Sequence, residues 1–375
     1  MLLLNGCIER YYPDEEELRV GTMVVSAHLN NIPGNQSIQI SRSVPLDRTL
    51  YEPEGGCYVE VIREDGEARV FPEASDGVYE TVLEEDFLRE DAAFKLVVIT
   101  PGGEQYESEF ETLHESTPIA SIYYEREDHP TADPNVTEKG IQFYMDFEID
   151  KEQARYLRWE VSETYEIQNP NYPTRVYGED RRMRDLPDSE KNLTCWVTGR
   201  IPQIYTLDLL QVEGAVYREW PLHFVTGTTQ RLHHRYSVLV RQYSLSEKAF
   251  RYWNELAKNL QSKGGLFDTQ PALTPSNICN VEDEEEQVIG YFSISGAAEK
   301  RIFVQEVPGL ELYLDPYYCA PGVYPMFLWR YPREKLPLYL ASASIYGVTE
   351  SGEVKDECVD CTQMKGATAV KPDFW

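Results

Sequence analysis

Cys7 is the residue of this sequence whose surroundings point most clearly to a chemical reaction. In Met1-Leu2-Leu3-Leu4-Asn5-Gly6-Cys7, three positions match a bacterial lipobox: its leucine (Leu4), its small residue (Gly6) and its modified cysteine (Cys7). A small residue before the scissile bond gives a signal peptidase access, and the thiol after it receives a diacylglyceryl group. The alternative is a chance occurrence at the start of a soluble protein. The pattern therefore predicts lipidation of Cys7.

The apolar stretch before Cys7 is short for a signal peptide. Such peptides have a charged start and roughly 7–15 apolar residues, whereas Leu2-Leu3-Leu4 is the only apolar run here. We therefore expect the true start to lie upstream of Met1, or the sequence to be trimmed. After Cys7, Asp14-Glu15-Glu16-Glu17 gives the chain an acidic segment. We predict that residues 1–17 comprise the lipobox and a solvated acidic tether.

The other six cysteines are candidates for disulfide bonds, zinc binding or free thiols. An even number in an exported chain suits disulfides. Cys358-Val359-Asp360-Cys361 resembles half of a zinc ribbon, but a closed zinc site needs four ligands and the chain has no second pair with this spacing. We predict that Cys358 and Cys361 bond with Cys195 and Cys319, in a pairing that the sequence leaves open. Cys57 and Cys279 are weaker candidates.

The sequence carries no recognisable catalytic or cofactor-binding signature. It has no Gly-x-Ser-x-Gly elbow, His-Glu-x-x-His helix, phosphate-binding glycine loop or EF-hand pattern. His233 and His234 are adjacent, so on a strand they would point to opposite faces. The acidic run 282–286 offers oxygen ligands, but consecutive carboxylates usually form a solvated loop. We predict a protein that is not an enzyme, with no metal site and no cofactor.

Two polar loops carry aromatic side chains suited to contact with a ligand or partner. They span residues 169–175 and 315–318. Tyrosine is enriched at interfaces because its ring adds apolar area and its hydroxyl adds a polar tip. The alternative is that both segments are ordinary loops. The candidate interface residues are Tyr172, Arg175, Tyr317 and Tyr318.

The overall charge limits the kinds of partner. Asp and Glu number 64 against 35 Lys and Arg, for a formal net charge of −29. Nucleic-acid-binding surfaces are basic, so this balance argues against nucleic acid as a partner, and it disfavours electrostatic adhesion to anionic lipid headgroups. The sequence has no run of about 18 apolar residues, so we expect no membrane-spanning helix.

Residues 18–113 are predicted to form an immunoglobulin-like β-sandwich. Short apolar or alternating segments, such as 58–62 and 94–99, are separated by turn signals such as Glu64-Asp65-Gly66 and Pro101-Gly102-Gly103. Short strands at close intervals with such turns between them are typical of an antiparallel sandwich. The 26 Tyr and 13 Phe favour strands as well.

Residues 117–375 are predicted to form a larger antiparallel β domain carrying one main amphipathic helix. Apolar residues alternate through 141–147, which indicates a half-buried strand. The polar segment 168–192 is predicted to be a long loop. We expect the disulfides to tie the C-terminal tail to this domain, with Phe374 and Trp375 docking as a hydrophobic plug.

The helix is predicted near residues 245–262. One face collects six apolar side chains at helical spacing: Leu245, Ala249, Tyr252, Trp253, Leu256 and Leu260. Ser244 followed by Glu247 fits a capping box, and Ser246 is the competing N-cap. Gly264-Gly265 ends the pattern.

Several ordered motifs resemble a known family. They are 235–246, Phe250-Arg251-Tyr252-Trp253, 264–268, 271–272, 276–278, 290–295, 301–304, Cys358-Val359-Asp360-Cys361 and Lys371-Pro372-Asp373-Phe374-Trp375. In this order they resemble a Bacteroidota family of outer-membrane lipoproteins, the domain of unknown function 4249 family, over nearly the whole chain. The chain departs from that family in the short stretch before Cys7 and at Ser276, where glycine is expected before Asn277.

The resemblance implies a location and a partner but no reaction. Members occur beside TonB-dependent receptors, which implies such an outer-membrane receptor as partner and lipid attachment as the membrane contact. The acidic segment after Cys7 resembles an export signal of such lipoproteins, so we expect the protein to face the cell exterior. We expect a non-catalytic accessory or ligand-binding partner of a TonB-dependent transporter, with a glycan or peptide as candidate ligand. The alternatives are a stand-alone adhesion or carbohydrate-binding lipoprotein and a hydrolase with an unrecognised site.

Overall fold

The chain is mainly β, with one α-helix among the residues that the structure describes. The computed structural model describes residues 21–45, 51–148, 154–170, 172–214, 216–261, 274, 276–313, 318–322, 328–345 and 348–375. The mainly β architecture with one main helix confirms the predicted fold class. Within these residues, no helix has the length and apolar character needed to cross a membrane.

Among the described residues, the first strand begins at Met23 and the last ends at Thr368. In the N-terminal part they are β1 Met23–Asn30, β2 Gly34–Arg42, β3 Glu52–Pro53, β4 Tyr58–Arg63, β5 Ala68–Val70, β6 Glu73–Ser75, β7 Val78–Leu83, β8 Ala93–Ile99, β9 Gln105–Ser108 and β10 Glu111–Thr112. Before the helix follow β11 Ile119–Pro130, β12 Thr137–Glu148, β13 Tyr156–Gln168, β14 Arg175–Tyr177, β15 Met183–Asp185, β16 Thr194–Arg200, β17 Tyr205–Asp208, β18 Val216–Thr226 and β19 Tyr236–Leu245. Then come helix α1 Glu247–Gln261, β20 Ile278–Asn280, β21 Ile289–Val304, β22 Leu338–Ile345, β23 Val348–Val354 and β24 Ala367–Thr368.

Two smaller sheets pack against one large sheet. The large sheet joins eleven described strands in the order β24-β16-β13-β19-β21-β1-β2-β7-β6, with β17 beside β13 and β3 beside β2. Its N-terminal strands bury Val25 and Ile38 against the sheet β20-β9-β8-β4-β5, which contributes Val61 and Phe94. Its central strands bury Trp159 against the sheet β11-β12-β18. The result is two β-sandwich cores that share one sheet.

The two cores are joined because β1 pairs in parallel with β21. Ile278 and Phe292 lie after the helix in sequence, yet they are buried in the N-terminal core. Ile278 reaches this core because β20 pairs with β9, and Phe292 because β21 pairs with β1. The division at residues 113–117 stays a prediction, but strands from both sides of it build the same sheet and core.

Helix α1 lies on the opposite face of the large sheet from these cores. Ala249 and Trp253 of the helix pack with Tyr156 of β13 and Tyr291 of β21. The helix is therefore confirmed as a cover for the sheet of the predicted second domain. Leu260, which was expected on the buried face, is 59% exposed.

The predicted capping box at Ser244 is wrong. Ser244 lies in β19, and its Oγ is buried without a hydrogen-bond partner. The side chain that caps the helix belongs to Ser246, whose Oγ accepts from the backbone N–H of Ala249 at 3.1 Å. Strand pairing extends to Leu245, so the helix can begin only at Glu247.

The predicted long loop 168–192 contains a hairpin. Strands β14 and β15 pair within it, and β14 also pairs with β22, which pairs with β23. Val176 and Leu186 are buried in the core of this small sheet. Because each of the two strands has only three residues, they show no recognisable alternation in the sequence.

Candidate functional site

The candidate interface residues lie on or next to the four-stranded sheet β15-β14-β22-β23, here called the small sheet. Tyr172 is 47% exposed in the loop before β14, and Arg175 is exposed at the start of β14. The Tyr318 hydroxyl donates to Glu357 at 2.7 Å, and its ring packs on the core that contains Val176. Tyr317 lies outside the described residues, as does the lipidation candidate Cys7.

Two disulfide bonds tie the C-terminal tail to the rest of the molecule. Cys195 of β16 bonds to Cys361, with 2.04 Å between the sulfurs, and Cys319 bonds to Cys358 at 2.03 Å. The four cysteines are those predicted, and the structure supplies the pairing. Each cysteine of the C-x2-C sequence therefore bonds to a different distant partner instead of sharing a zinc ion. Cys57 and Cys279 are free.

No metal site is evident in the described part of the chain. It contains no group of three or more His, Cys, Asp or Glu side chains placed to hold a metal ion.

A polar surface runs along the large sheet on the face that carries α1. Along β13, odd-numbered residues such as Trp159 and Val161 enter the core, whereas the even-numbered residues from 158 to 168 point the other way. Every even-numbered residue in that span is polar or charged. Neighbouring strands continue this face, since Arg241 of β19 lies opposite Glu160. Grooves open near each end of the face.

The first groove, here called the tail groove, is lined in part by Glu166, Trp196, His233, Arg235, Lys371 and Trp375. Its volume is about 650 Å³. The remaining lining residues are Gln168, His234, Gln305 and Glu306. Five segments that are distant in sequence thus meet here: β13, β16, the residues just before β19, the residues just after β21 and the end of the tail.

The tail is held over the sheet by polar and cation–π contacts. Trp375 Nε1–H donates to Glu166 Oε2 at 3.1 Å. The Arg235 guanidinium lies 4.0 Å from the ring centroid of Phe303 and 5.2 Å from that of Trp375. Phe374 remains 42% exposed, so the predicted hydrophobic plug is instead a stacked and hydrogen-bonded surface contact.

The tail groove has unsatisfied hydrogen-bonding capacity. Trp196 Nε1 and His233 Nε2 are buried from solvent and have no hydrogen-bond partner. Burial, with a further contribution from neighbouring His234, lowers the pKa of His233, so this imidazole is neutral at pH 7. A neutral imidazole offers one donor and one acceptor.

The second groove, here called the seam groove, lies where the two cores meet and is lined in part by His28, Asn35, Gln39, Glu160, Arg200 and Tyr243. Its volume is about 310 Å³. Glu160 and Glu166 are six residues apart on β13, so the two grooves are about 20 Å apart along the strand.

Glu160 is the centre of a charged network in the seam groove. Its carboxylate accepts from Arg158 at 2.8 Å and from the Tyr243 hydroxyl at 3.1 Å. Burial alone would raise the pKa of Glu160, but Arg158 and Arg200 outweigh burial and lower it. The carboxylate is therefore ionised at neutral pH and fixes the cations around it.

Sequence reasoning did not find either groove. The tail groove depends on contact between Glu166 and Trp375, which no local pattern encodes. The available signal was the polar alternation along β13 together with the aromatic residues that end the chain. Together the two grooves offer many hydrogen-bonding groups and several aromatic rings, which suits recognition of a polar ligand.

Comparison with solved structures gives a low-similarity match. It is a crystal structure of a mutant of Salmonella alpha-2-macroglobulin, with 12% sequence identity and a TM-score of 0.19. The match covers 60% of this chain and 14% of that one. None of the curated proteins compared with the chain matches it.

Comparison with protein families gives a long match. The sequence profile described as Domain of unknown function (DUF4249) matches residues 8–301, which is well over half of the chain. The match covers the N-terminal core, most of the core around Trp159 and most of β21. The chain therefore belongs to the DUF4249 family.

Proposed function

We propose that this protein is a surface-exposed outer-membrane lipoprotein that binds a ligand without catalysis, as an accessory partner of a TonB-dependent transporter. The observation that carries the proposal is the polar face of the large sheet with its two open grooves. Grooves lined by hydrogen-bonding side chains suit the reversible capture of a polar ligand, which a transporter partner must release.

Membrane attachment through Cys7 is supported by the sequence. Leu4, Gly6 and Cys7 fit the lipobox, and a lipoprotein carries two or three acyl chains, enough for stable anchoring. The two disulfide bonds fit the same proposal, because disulfides persist in oxidising compartments outside the cytoplasm. Residues 8–17 would then link the anchor to the folded part.

Within this proposal, the small sheet is the surface that meets the transporter. Tyr172 and Arg175 are exposed there and free to contact a partner. The Cys319–Cys358 bond holds the segment with Tyr318 in place beside them. A rigid surface that combines tyrosine and arginine is typical of interface hot spots.

Anchoring is tested by labelling cells that express the chain behind a complete lipoprotein signal peptide. The unmodified chain should incorporate an alkyne-tagged fatty acid, fractionate with the outer membrane and be cleaved by protease added to intact cells. Cys7→Ser should abolish all three, whereas Cys279→Ser, which changes a free thiol, should abolish none. Absence of label on the unmodified chain would overturn the anchoring proposal.

The partner is tested by affinity purification after cross-linking in the same cells. We expect a β-barrel TonB-dependent receptor to copurify, and the double variant Tyr172→Ala/Arg175→Glu to reduce its recovery. Gln39→Ala, on the seam groove, is the matched surface control. Failure to recover any such receptor with the unmodified chain would contradict the accessory role.

A second candidate is a stand-alone adhesion or carbohydrate-binding lipoprotein. The two indoles of the tail groove, from Trp196 and Trp375, favour it, because sugar rings stack on aromatic faces. Cell attachment to glycan-coated surfaces without any copurifying receptor would support this candidate. Turnover of a glycan, peptide or ester library would instead support a hydrolase.

A further inference from the structure

We propose that the tail groove binds a neutral carbohydrate, with Trp375 as the aromatic platform for a sugar ring. This inference rests on the proposed ligand-binding function and names the ligand class. The groove, at about 650 Å³, has room for a small oligosaccharide rather than a single ion.

The chemistry of the lining selects a polyhydroxylated ligand. All the described lining residues have charged, amide, imidazole or indole side chains, and none is aliphatic. Sugar hydroxyls both donate and accept hydrogen bonds, so they can pair with Gln168, Gln305 and the groove's carboxylates. An apolar peptide side chain would find no aliphatic pocket here.

Two groups in this groove lack partners that a ligand can supply. Trp196 Nε1 and His233 Nε2 are both buried and unpaired. Buried polar groups are nearly always paired in folded proteins, and each unpaired one carries a desolvation cost. Both atoms are covered by protein in this structure, so a sugar hydroxyl pairs with them, and removes that cost, only when neighbouring side chains shift on binding.

The charge of the groove favours a neutral ligand. Glu166 and Glu306 are offset by Arg235 and Lys371. Burial lowers the pKa of His233, which therefore adds no positive charge at pH 7. A nucleic acid strand also stacks on aromatic rings but needs a positive groove along its phosphates, which this groove does not provide.

Trp375 is positioned before any ligand arrives. Its indole is fixed by Glu166 and faces the Arg235 guanidinium, while Cys195–Cys361 ties the tail to β16. A platform held in place loses little conformational freedom on binding, which favours affinity. The disulfide and the stacked arginine therefore act as positioning elements of the site.

The test is binding of the purified full chain to an array of neutral oligosaccharides: glucans, mannans, galactans and N-acetylglucosamine oligomers. Affinities for the ligands retained are then measured by calorimetry. We expect Trp375→Ala to weaken binding about tenfold, in line with aromatic stacking energies. Trp196→Phe keeps an aromatic ring but removes the indole N–H, and should weaken binding several-fold.

Two control variants separate a groove effect from a folding effect. Tyr58→Ala removes an exposed tyrosine and Trp329→Ala removes an exposed tryptophan, and both residues lie outside the two grooves. Both should keep the affinity of the unmodified chain, and all variants should remain folded at the temperature of the binding assay. Circular dichroism of each variant verifies that the β fold is intact.

The binding and copurification experiments together show whether the carbohydrate inference fails, the accessory role fails, or both fail. Absence of binding to every neutral oligosaccharide, or binding that survives both tryptophan substitutions, overturns the inference. If a receptor still copurifies in that case, the accessory role stands and its ligand belongs to another class. If oligosaccharides bind but no receptor copurifies, the accessory role fails and the carbohydrate site stands.

Discussion

Trp375 donates its indole N–H to Glu166 Oε2 at 3.1 Å, which joins the end of the tail to the C-terminal part of β13 across 209 positions of sequence. The Arg235 guanidinium lies beside the same indole. These contacts, with the short β24–β16 pairing, fold the tail onto the polar face of the large sheet. The wall of the tail groove therefore depends on a few polar contacts made over a very long sequence separation.

Removal of the Glu166 carboxylate should loosen the tail without unfolding the protein. For Glu166→Ala we expect faster amide exchange in residues 367–375, because the hydrogen bond to Trp375 is lost. Glu166→Gln keeps an oxygen acceptor and should show a smaller increase. The global free energy of unfolding should fall by no more than about 1 kcal/mol in either variant, since the bond is only partly buried. Unchanged exchange in Glu166→Ala would contradict this role.

The disulfide between Cys195 and Cys361 should be a major source of stability. Loss of a native disulfide typically costs about 2–5 kcal/mol. We expect Cys195→Ser and Cys361→Ser to lower the free energy of unfolding in urea by equal amounts, and the double variant to lower it no further. Cys279→Ser, at a free cysteine, should leave it unchanged. Additive losses in the double variant would show that the two cysteines do not act as a pair.

Gly290 permits the close approach of the two strands that join the cores. Its φ is +110°, and a Cβ at this position would lie 1.8 Å from the Val25 carbonyl oxygen. Gly290→Ala should therefore destabilise the protein by about 3 kcal/mol or more, because both the backbone conformation and the β1–β21 pairing are disturbed. Gly199→Ala is the matched control, since nothing lies within 4 Å of a Cβ there and its φ is ordinary. Equal urea midpoints for the two variants would contradict this reading.

The two serines before α1, Ser244 and Ser246, should differ sharply in their contribution to the free energy of unfolding. Ser246 Oγ accepts from Ala249 N–H and donates to Glu111 at 2.6 Å, so Ser246→Ala should cost about 1–2 kcal/mol. Ser244 Oγ is buried without a partner, so Ser244→Ala should be neutral or stabilising. Thermal or urea unfolding of both variants measures this difference. A larger loss of stability for Ser244→Ala than for Ser246→Ala would support Ser244 as the N-cap residue.

The elements that the sequence predicts well are those with long periodic patterns. The alternation over 141–147 identified part of β12, and the apolar stripe from Ala249 to Leu256 identified α1, because both patterns repeat over many residues. The start of α1 was misplaced since Ser244 and Ser246 both precede a helix-like pattern. Only the pairing of β19 with β13 shows that Ser244 still belongs to a strand.

The remaining features depend on contacts between distant segments. The parallel pairing of β1 with β21 brings together residues more than 250 positions apart, such as His28 and Ser293, whose side chains are separated by 265 positions. Four cysteines allow three pairings, and nothing local selects the observed one. The tail groove is likewise formed by residues of five separate segments, so its existence could not be inferred before the fold was known.

His28 should make the stability of the protein depend on pH just below neutrality. Its ring packs 4.5 Å from the ring of Trp253, and its Nδ1 lies 3.0 Å from the Ser293 hydroxyl. Burial, with repulsion from Arg158, lowers its pKa from 6.5 to about 3. The unfolded chain therefore binds a proton at His28 at a higher pH than the folded chain does, and stability is lost as the pH falls from 6.5 towards 3. Between pH 6 and 5 this one group contributes a slope of at most about 1.4 kcal/mol per pH unit.

Substitution of His28 by glutamine should remove that contribution. The amide can still pair with Ser293 but does not titrate, so the free energy of unfolding of His28→Gln should vary less between pH 7 and 5 than that of the unmodified chain. Some stability at pH 7 should be lost with the ring contact to Trp253, which is why the slope and not the absolute value is the measurement. Val82→Ala, at an exposed and non-titrating position outside this cluster, should keep the original slope. Urea unfolding at half-unit pH steps gives both slopes, and identical slopes for His28→Gln and the unmodified chain would show that His28 does not titrate differently on folding.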